Sequence, residues 1–255
     1  MKTNRVKKQL SNGEASRGIW LGIPSPFSAR LLARLPLDWL VIDSEHAPID
    51  VATLTLMVAA IAEADGPAPI VRVPQASVEN IKRALDAGAY GVVSPMINTP
   101  EEAQAVVQWS KFPPRGQRSF GSAYAGLSMD LSMGEYLRAA NDETLAIIQI
   151  ESKAALDNLE AIFAVPGLDL AFVGPVDLSV SLGLEPLPEN PHPLFQEAIQ
   201  AILGTARAHH LPLGIFCSNG KVAADRIEQG FQFVNVASDT GILTRAVAAE
   251  LEASR

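Results

Sequence analysis

A chain of 255 residues, 48% hydrophobic and 19% charged, has enough material for one large core or two small ones. Its formal net charge of −8 leaves no basic surplus to neutralise phosphates, which argues against non-specific nucleic-acid binding, and its single cysteine, Cys217, excludes an internal disulfide and a cysteine-based zinc site. No stretch approaches the roughly 18 apolar residues of a membrane span, and the basic cluster Lys2, Arg5, Lys7, Lys8 runs into SNGEAS rather than an apolar segment, so a signal peptide is not expected and the cytosol is.

In chain order, residues 1–17 read as an N-terminal extension. Eight short apolar runs follow: GIWLGIP (18–24), WLVIDSEH (39–46), APIVRVP (68–74), YGVVSPMI (90–97), LAIIQIES (145–152), LDLAFVGPVD (168–177), PLGIFCS (212–218) and FQFVNVASD (231–239). Between them lie segments of helical periodicity, such as SVENIKRALDAG (77–88) and TPEEAQAVVQWS (99–110). Each of these opens on a Ser or Thr suited to cap a helix, and the first ends on Gly88. Eight strand–helix units in this length predict one (β/α)8 barrel domain over 1–255 rather than an open doubly wound sheet. No dinucleotide fingerprint follows the first strand, which weakens a Rossmann reading further.

Two connections are too long for plain crossovers, 111–144 with FPPRGQRSFGSAYAGLSM and 178–190 with SLGLEPLPEN. Long loops tend to be functional, and both are expected over the C-terminal face of the barrel. The last helix, within 240–255, carries apolar Ile242, Leu243, Ala246, Val247 and Leu251. Periodicity leaves open whether it packs on its own barrel or on a partner subunit.

Catalysis in such a barrel belongs at the C-terminal strand ends. Glu151 and Asp177 each close an apolar run, so each is delivered as a charge to that face. Either alone could be a helix cap or half of an ion pair. Together, with waters and substrate oxygens, they suit Mg²⁺ or Mn²⁺ better than Zn²⁺. Asp43, Glu45 and His46 follow the second run, Arg72 lies in the third, and Gln149 precedes Glu151. His46 is placed either to cap a helix or to act as general base. Arg72 is placed either to bridge acids or to stabilise an oxyanion. Asp86, on the helix after Arg72, could orient His46. In GPVDLS the backbone N–H groups after Gly174 form a weak candidate anion site. The lysines (2, 7, 8, 82, 111, 153 and 221) all lie outside the apolar runs, so metal-assisted enolate chemistry is favoured over an imine.

The stretches GIWLGIPSP, VIDSEHAPID, VRVP, LDAGAYGVVSPMI, FPPRGQRSFG, IIQIES and FVGPVDLSVSLG, in that order over about residues 18 to 183, resemble the HpcH/HpaI class II pyruvate aldolases. The resemblance implies a TIM barrel of the phosphoenolpyruvate/pyruvate-domain type. It implies a divalent metal (Mg²⁺, Mn²⁺ or Co²⁺) on Glu151 and Asp177, with pyruvate bound by Gln149 and the backbone of Gly174, Val176 and Asp177. It further implies His46 as base, with Asp86 raising its basicity, and Arg72 stabilising the enolate that attacks a small aldehyde to give a 4-hydroxy-2-oxo acid, the reverse being retro-aldol cleavage of hydroxy-oxo acids or 2-keto-3-deoxy sugar acids. A homo-oligomer is implied too, a hexamer as a trimer of dimers exchanging the helix within 240–255. Val176 stands where many relatives carry Ala or Ser, and Ser119 where Gly commonly follows the arginine. Both departures bear on the aldehyde rather than on the reaction. A metal-enolate decarboxylase acting on oxaloacetate-type acids stays open as an alternative. A non-catalytic barrel that binds a small acid would be expected to lack one of His46, Arg72, Glu151 or Asp177, and all four are present.

Overall fold

The computed structural model describes residues 2–121 and 123–255. Each expected apolar run contributes one strand: β1 (Ser16–Leu21), β2 (Trp39–Asp43), β3 (Ala68–Arg72), β4 (Gly91–Ser94), β5 (Leu145–Ile150), β6 (Leu170–Val173), β7 (Leu213–Ile215) and β8 (Phe233–Ser238). All pair in parallel in sequence order and β1 closes on β8, so the predicted (β/α)8 barrel is the observed one. Most strands stop short of the polar residues that end their runs. Those residues leave the ladder and rise into the loops of the C-terminal face.

Because side chains alternate along a strand, each strand feeds two cores. Leu40, Ile42, Val71, Ala146 and Ile148 face outward, beneath the helices. Trp39, Val41, Ile70, Leu145, Ile147, Phe172 and Phe233 fill the barrel interior, where Trp39 stacks on Phe233 with centroids 3.9 Å apart. The same alternation carries one step further puts Asp43, Arg72 and Gln149 on the inward side at the C-terminal end.

The helices begin where the sequence signals them. Ser77 caps Val78–Asp86, and Thr99 forms a reciprocal capping box with Glu102 at the start of Pro100–Ser110. The expected extension 1–17 is part of the barrel. Its helix Arg5–Ser11 buries Val6 and Leu10 with the interior core, and β1 already starts at Ser16. No helix among the described residues is long and apolar enough to cross a membrane. The last helix, Asp239–Ala253, leaves Ile242, Leu243, Val247 and Leu251 exposed, so its apolar face is not packed on its own barrel.

One expectation fails. The connection 111–144 follows a helix and precedes a strand, so it lies at the N-terminal end of the barrel and not over the C-terminal face. It carries helices Ala123–Leu127 and Met133–Glu143. At that end Lys111 is buried and donates to the carbonyls of Asn141 (3.2 Å) and Thr144 (2.5 Å) and to Asp169 (3.1 Å). Lys7 reaches the other oxygen of the same carboxylate at 2.9 Å. Burial, only partly offset by Asp169, lowers the Lys111 pKa to about 8. A desolvated lysine therefore exists, at the end of the barrel opposite the strand-end acids, with all three of its N–H groups engaged.

Candidate active site

At the C-terminal mouth a cavity of about 430 Å³ opens among Trp20, Asp43, His46, Arg72, Gln149, Glu151, Gly174, Val176, Asp177 and the residues of the opposite wall. Seven of the eight residues singled out from sequence (His46, Arg72, Gln149, Glu151, Gly174, Val176 and Asp177) line it together. The eighth does not. Asp86 closes helix Val78–Asp86 toward the N-terminal end of the barrel, where its Oδ1 accepts from Arg118 Nη2 at 2.9 Å. That arginine is also held by Tyr136 and by the faces of Phe112 and Tyr136. The sequence placed Asp86 one helix away from Arg72 but could not show that the helix carries it down the barrel. The carboxylate beside the imidazole is Glu45, with Oε2 3.8 Å from His46 Nε2.

Arg72 reaches Asp43 through Nε (2.9 Å) and Nη2 (2.5 Å), and Glu45 through Nη1 (2.9 Å). Two of its five N–H donors are hydrogen-bonded, both to Asp43, and the contact with Glu45 is an ion pair, so donors on Nη1 and Nη2 remain for a ligand. Its guanidinium also sits 5.2 Å from the centre of the Trp20 ring, which fixes its tilt. Burial alone would raise the Asp43 carboxyl. The hydrogen bonds and charge of Arg72, with the N–H groups of His46 and Glu45, outweigh it and hold the group below the usual carboxylate range. For Glu45 burial wins: it is raised despite Arg72 and His46, with Asp43 and Asp177 pushing the same way.

Glu151 has the least compensated charge. Burial, reinforced by Asp177 and Glu45, lifts its pKa to about 7 against the pull of the Met96 N–H and Arg72. Its two oxygens accept from Met96 N (2.8 Å) and Gln149 Nε2 (2.9 Å). Met96 has a φ of 55°, a left-handed conformation rare for its type, which aims that N–H at the acid. Gly174 is needed for close approach: a Cβ there would lie 2.1 Å from Glu151 Oε2. The helix after it, Pro175–Ser181, has no side-chain cap, so its first-turn N–H groups have no partner within the helix.

These residues fit a divalent cation. Glu151 and Asp177 meet at one cavity, the pull of Arg72 leaves Glu151 under-compensated, and the buried Oε1 of Gln149 has no hydrogen-bond partner among the described residues. Among the described residues no cluster of three or more His, Cys, Asp or Glu side chains could form a closed cage. Two carboxylates with the remaining positions left to water and ligand oxygens match the habit of Mg²⁺ and Mn²⁺.

The opposite wall was not picked out from sequence. Phe216, Ser238 and Thr240 line it, from the ends of the seventh and eighth units, while Trp20 lies beside the Arg72 guanidinium. Their signal was position alone, since aromatics and hydroxyls at strand ends also read as packing. Asp239 is buried there and accepts from Gly22 N (2.8 Å), Ile23 N (3.0 Å) and Thr240 N (2.7 Å), which ties the loop after β1 to the end of β8.

A closed parallel barrel with acids, an arginine and a histidine converging at its C-terminal mouth defines a TIM-type barrel with an enzyme-like site. The chain belongs to the HpcH/HpaI aldolase/citrate lyase family, whose model matches residues 17–246. It is 39% identical over 246 residues to the hydroxypyruvate/pyruvate aldolase of Deinococcus radiodurans, covering 96% of this chain and 87% of that protein. It is 38% identical over 246 residues to the 4-hydroxy-2-oxo-heptane-1,7-dioate aldolase of Escherichia coli, covering 96% and 93%. The crystal structure of an HpcH/HpaI aldolase/citrate lyase family protein from Burkholderia cenocepacia superposes with a TM-score of 0.91 at 36% identity, over 99% of this chain and all of that one.

Proposed function

We propose that this chain is a divalent-metal-dependent aldolase that adds the enolate of pyruvate to an aldehyde, giving a 4-hydroxy-2-oxo acid, and runs the cleavage in reverse. The observation that carries the reading is Glu151: a buried, under-compensated carboxylate beside Asp177, with Arg72 and His46 at the same cavity. Its aldolase-named relatives, similar over nearly the whole chain, support it.

A cation (Mg²⁺ or Mn²⁺) held by Glu151 and Asp177 would supply the electron withdrawal that acidifies the methyl group of pyruvate. The other roles belong to the chain. Gln149 and the first-turn N–H groups of Val176 and Asp177 bind the substrate's carboxylate end, and Gly174 leaves it room. The donors of Arg72 not taken by Asp43 stabilise the oxygen on which negative charge develops. His46, exposed at the mouth, takes the methyl proton through water, and Glu45 orients its ring. Asp86 acts structurally, through Arg118. The exposed apolar residues of Asp239–Ala253 support a homo-oligomer, a hexamer built from dimers that exchange this helix.

The test is release of pyruvate from a 4-hydroxy-2-oxo acid with and without a chelator, alongside borohydride treatment in the presence of pyruvate. Loss of activity on chelation, restored by Mn²⁺, is expected. Full activity after rigorous metal removal, or a lysine trapped covalently by borohydride, would overturn the reading.

A further inference from the structure

The carboxylate of Glu151 depends on a stretch of backbone that the chain holds in an unfavourable shape. Glu151 Oε1 accepts from Met96 N at 2.8 Å, and Met96 presents that N–H with a φ of 55°. A methionine does not choose the left-handed region unaided, so its surroundings must hold it there. Its side chain is exposed, so core packing is not the hold.

The hold lies in the peptide that follows. Its N–H, from Ile97, donates to Gln149 O at 3.3 Å on the neighbouring strand, and its carbonyl, Met96 O, accepts from Asn98 Nδ2 at 2.9 Å. With both ends of this plane fixed, and Pro95 stiffening the backbone before it, Met96 has little freedom to swing its own N–H away. Asn98 reaches further still. Its Oδ1 accepts the hydroxyl of Ser152, the residue after Glu151, and Ser152 Oγ in turn accepts from Ala155 N at 3.0 Å to cap the helix Lys153–Asp157. The Asn98 carbonyl accepts from Asn158 Nδ2 at 2.9 Å, and its N–H donates to Glu102 Oε2 at 2.7 Å. One amide side chain thus ties the loop that carries Met96 to the loop that carries Glu151. The Met96 N–H on Oε1 and Gln149 Nε2 on Oε2 then grip the carboxylate at both oxygens, and each oxygen keeps a lone pair for a cation.

We propose, resting on the metal-dependent reading above, that Asn98 is a positioning residue for the metal ligand Glu151. Through Met96 O it keeps the Met96 N–H on the carboxylate, and through Ser152 it fixes the backbone from which that carboxylate springs. Groups that orient a ligating carboxylate set metal affinity without touching the ion. A merely structural role, as a brace ahead of the helix Pro100–Ser110, would lower stability and leave affinity alone.

The experiment titrates the full chain with Mn²⁺ alone, following free Mn²⁺ by electron paramagnetic resonance, with melting in chelator as the measure of stability. Asn98→Ala should raise the Kd for Mn²⁺ by about tenfold or more. Adding Met96→Gly to that variant should restore affinity by about threefold or more, because glycine enters the left-handed region without a clamp. Met96→Val removes no buried contact but resists a positive φ, so it should weaken Mn²⁺ binding by about tenfold even where Asn98→Ala folds poorly. Glu102→Ala breaks the other hold on the same segment, the bonds to Asn98 N and Thr99 N. It should lower the melting temperature and leave the Kd within about twofold. An unchanged Kd in Asn98→Ala and Met96→Val, or an equal rise in Glu102→Ala, would overturn the proposal. Glu151→Gln tests the underlying reading separately. Wild-type binding that this variant abolishes upholds the metal site whatever Asn98 does, whereas a wild type without Mn²⁺ binding, or equal binding in Glu151→Gln, sinks the metal-dependent reading itself.

Discussion

At the N-terminal mouth of the barrel, Lys111 gives its hydrogens to two carbonyls and Asp169, Lys7 takes the second oxygen of that acid, and Arg118 is held by Asp86 and Tyr136. At the C-terminal mouth, Glu151 and Glu45 are both raised above the usual carboxylate range. Both ends bury ions. Charges that are matched in place contribute structure, whereas charges left partly unmatched are held ready for a ligand.

The sharpest way to break this contrast is Glu151→Gln. Cleavage of a 4-hydroxy-2-oxo acid should fall by about 10³-fold or more, on the scale of losing a metal ligand and its electrostatic contribution. The metal-free melting temperature should hold or rise, because an under-compensated buried charge is gone. A large loss of stability would put Glu151 with the matched charges instead. Next, Arg72→Lys replaces a planar fork that spans Asp43 and Glu45 by a point charge. Turnover should fall by about 10²-fold, measured as kcat with saturating substrate.

Lys111→Met sharpens the contrast from the other end. It should cost about 2–3 kcal/mol in urea unfolding, because two carbonyls and one carboxylate oxygen lose their donor, while kcat is retained. The smallest effect is on pH. The folded-state pKa of Glu151 is about 7, against an ordinary value of 4.5, so between those values the folded protein binds more protons than the unfolded chain. Stability of the metal-free protein should therefore fall as pH rises through that window, by on the order of 1–2 kcal/mol from pH 5 to 7. Melting curves in chelator for the wild type and Glu151→Gln should differ in this slope, and Mn²⁺ should remove it by favouring the ionised carboxylate.

The barrel was legible because apolar runs recur at intervals that strand–helix units impose, and WLVID or LAIIQI can be little else than buried strands. The acids were legible because a charge after such a run must emerge at its end. Asp86 and the connection 111–144 were misplaced for a shared reason: composition does not tell which mouth a segment faces. Counting alternate elements would have corrected the second, since a connection leaving a helix for a strand returns to the N-terminal side. Thr240, Phe216 and the left-handed Met96 gave no local signal. Their importance comes from neighbours distant in the chain, as when the Met96 N–H meets Glu151.

Asp239 joins the first and last units of the barrel, and with them the wall on which Ser238 and Thr240 stand. During synthesis the ribosome releases that residue almost last. A nascent chain that already carries Arg72, Glu151 and Asp177 still lacks that join. Closure of the barrel therefore waits for the final segment, because β1 keeps an open edge until β8 and Asp239 have emerged to pair with it.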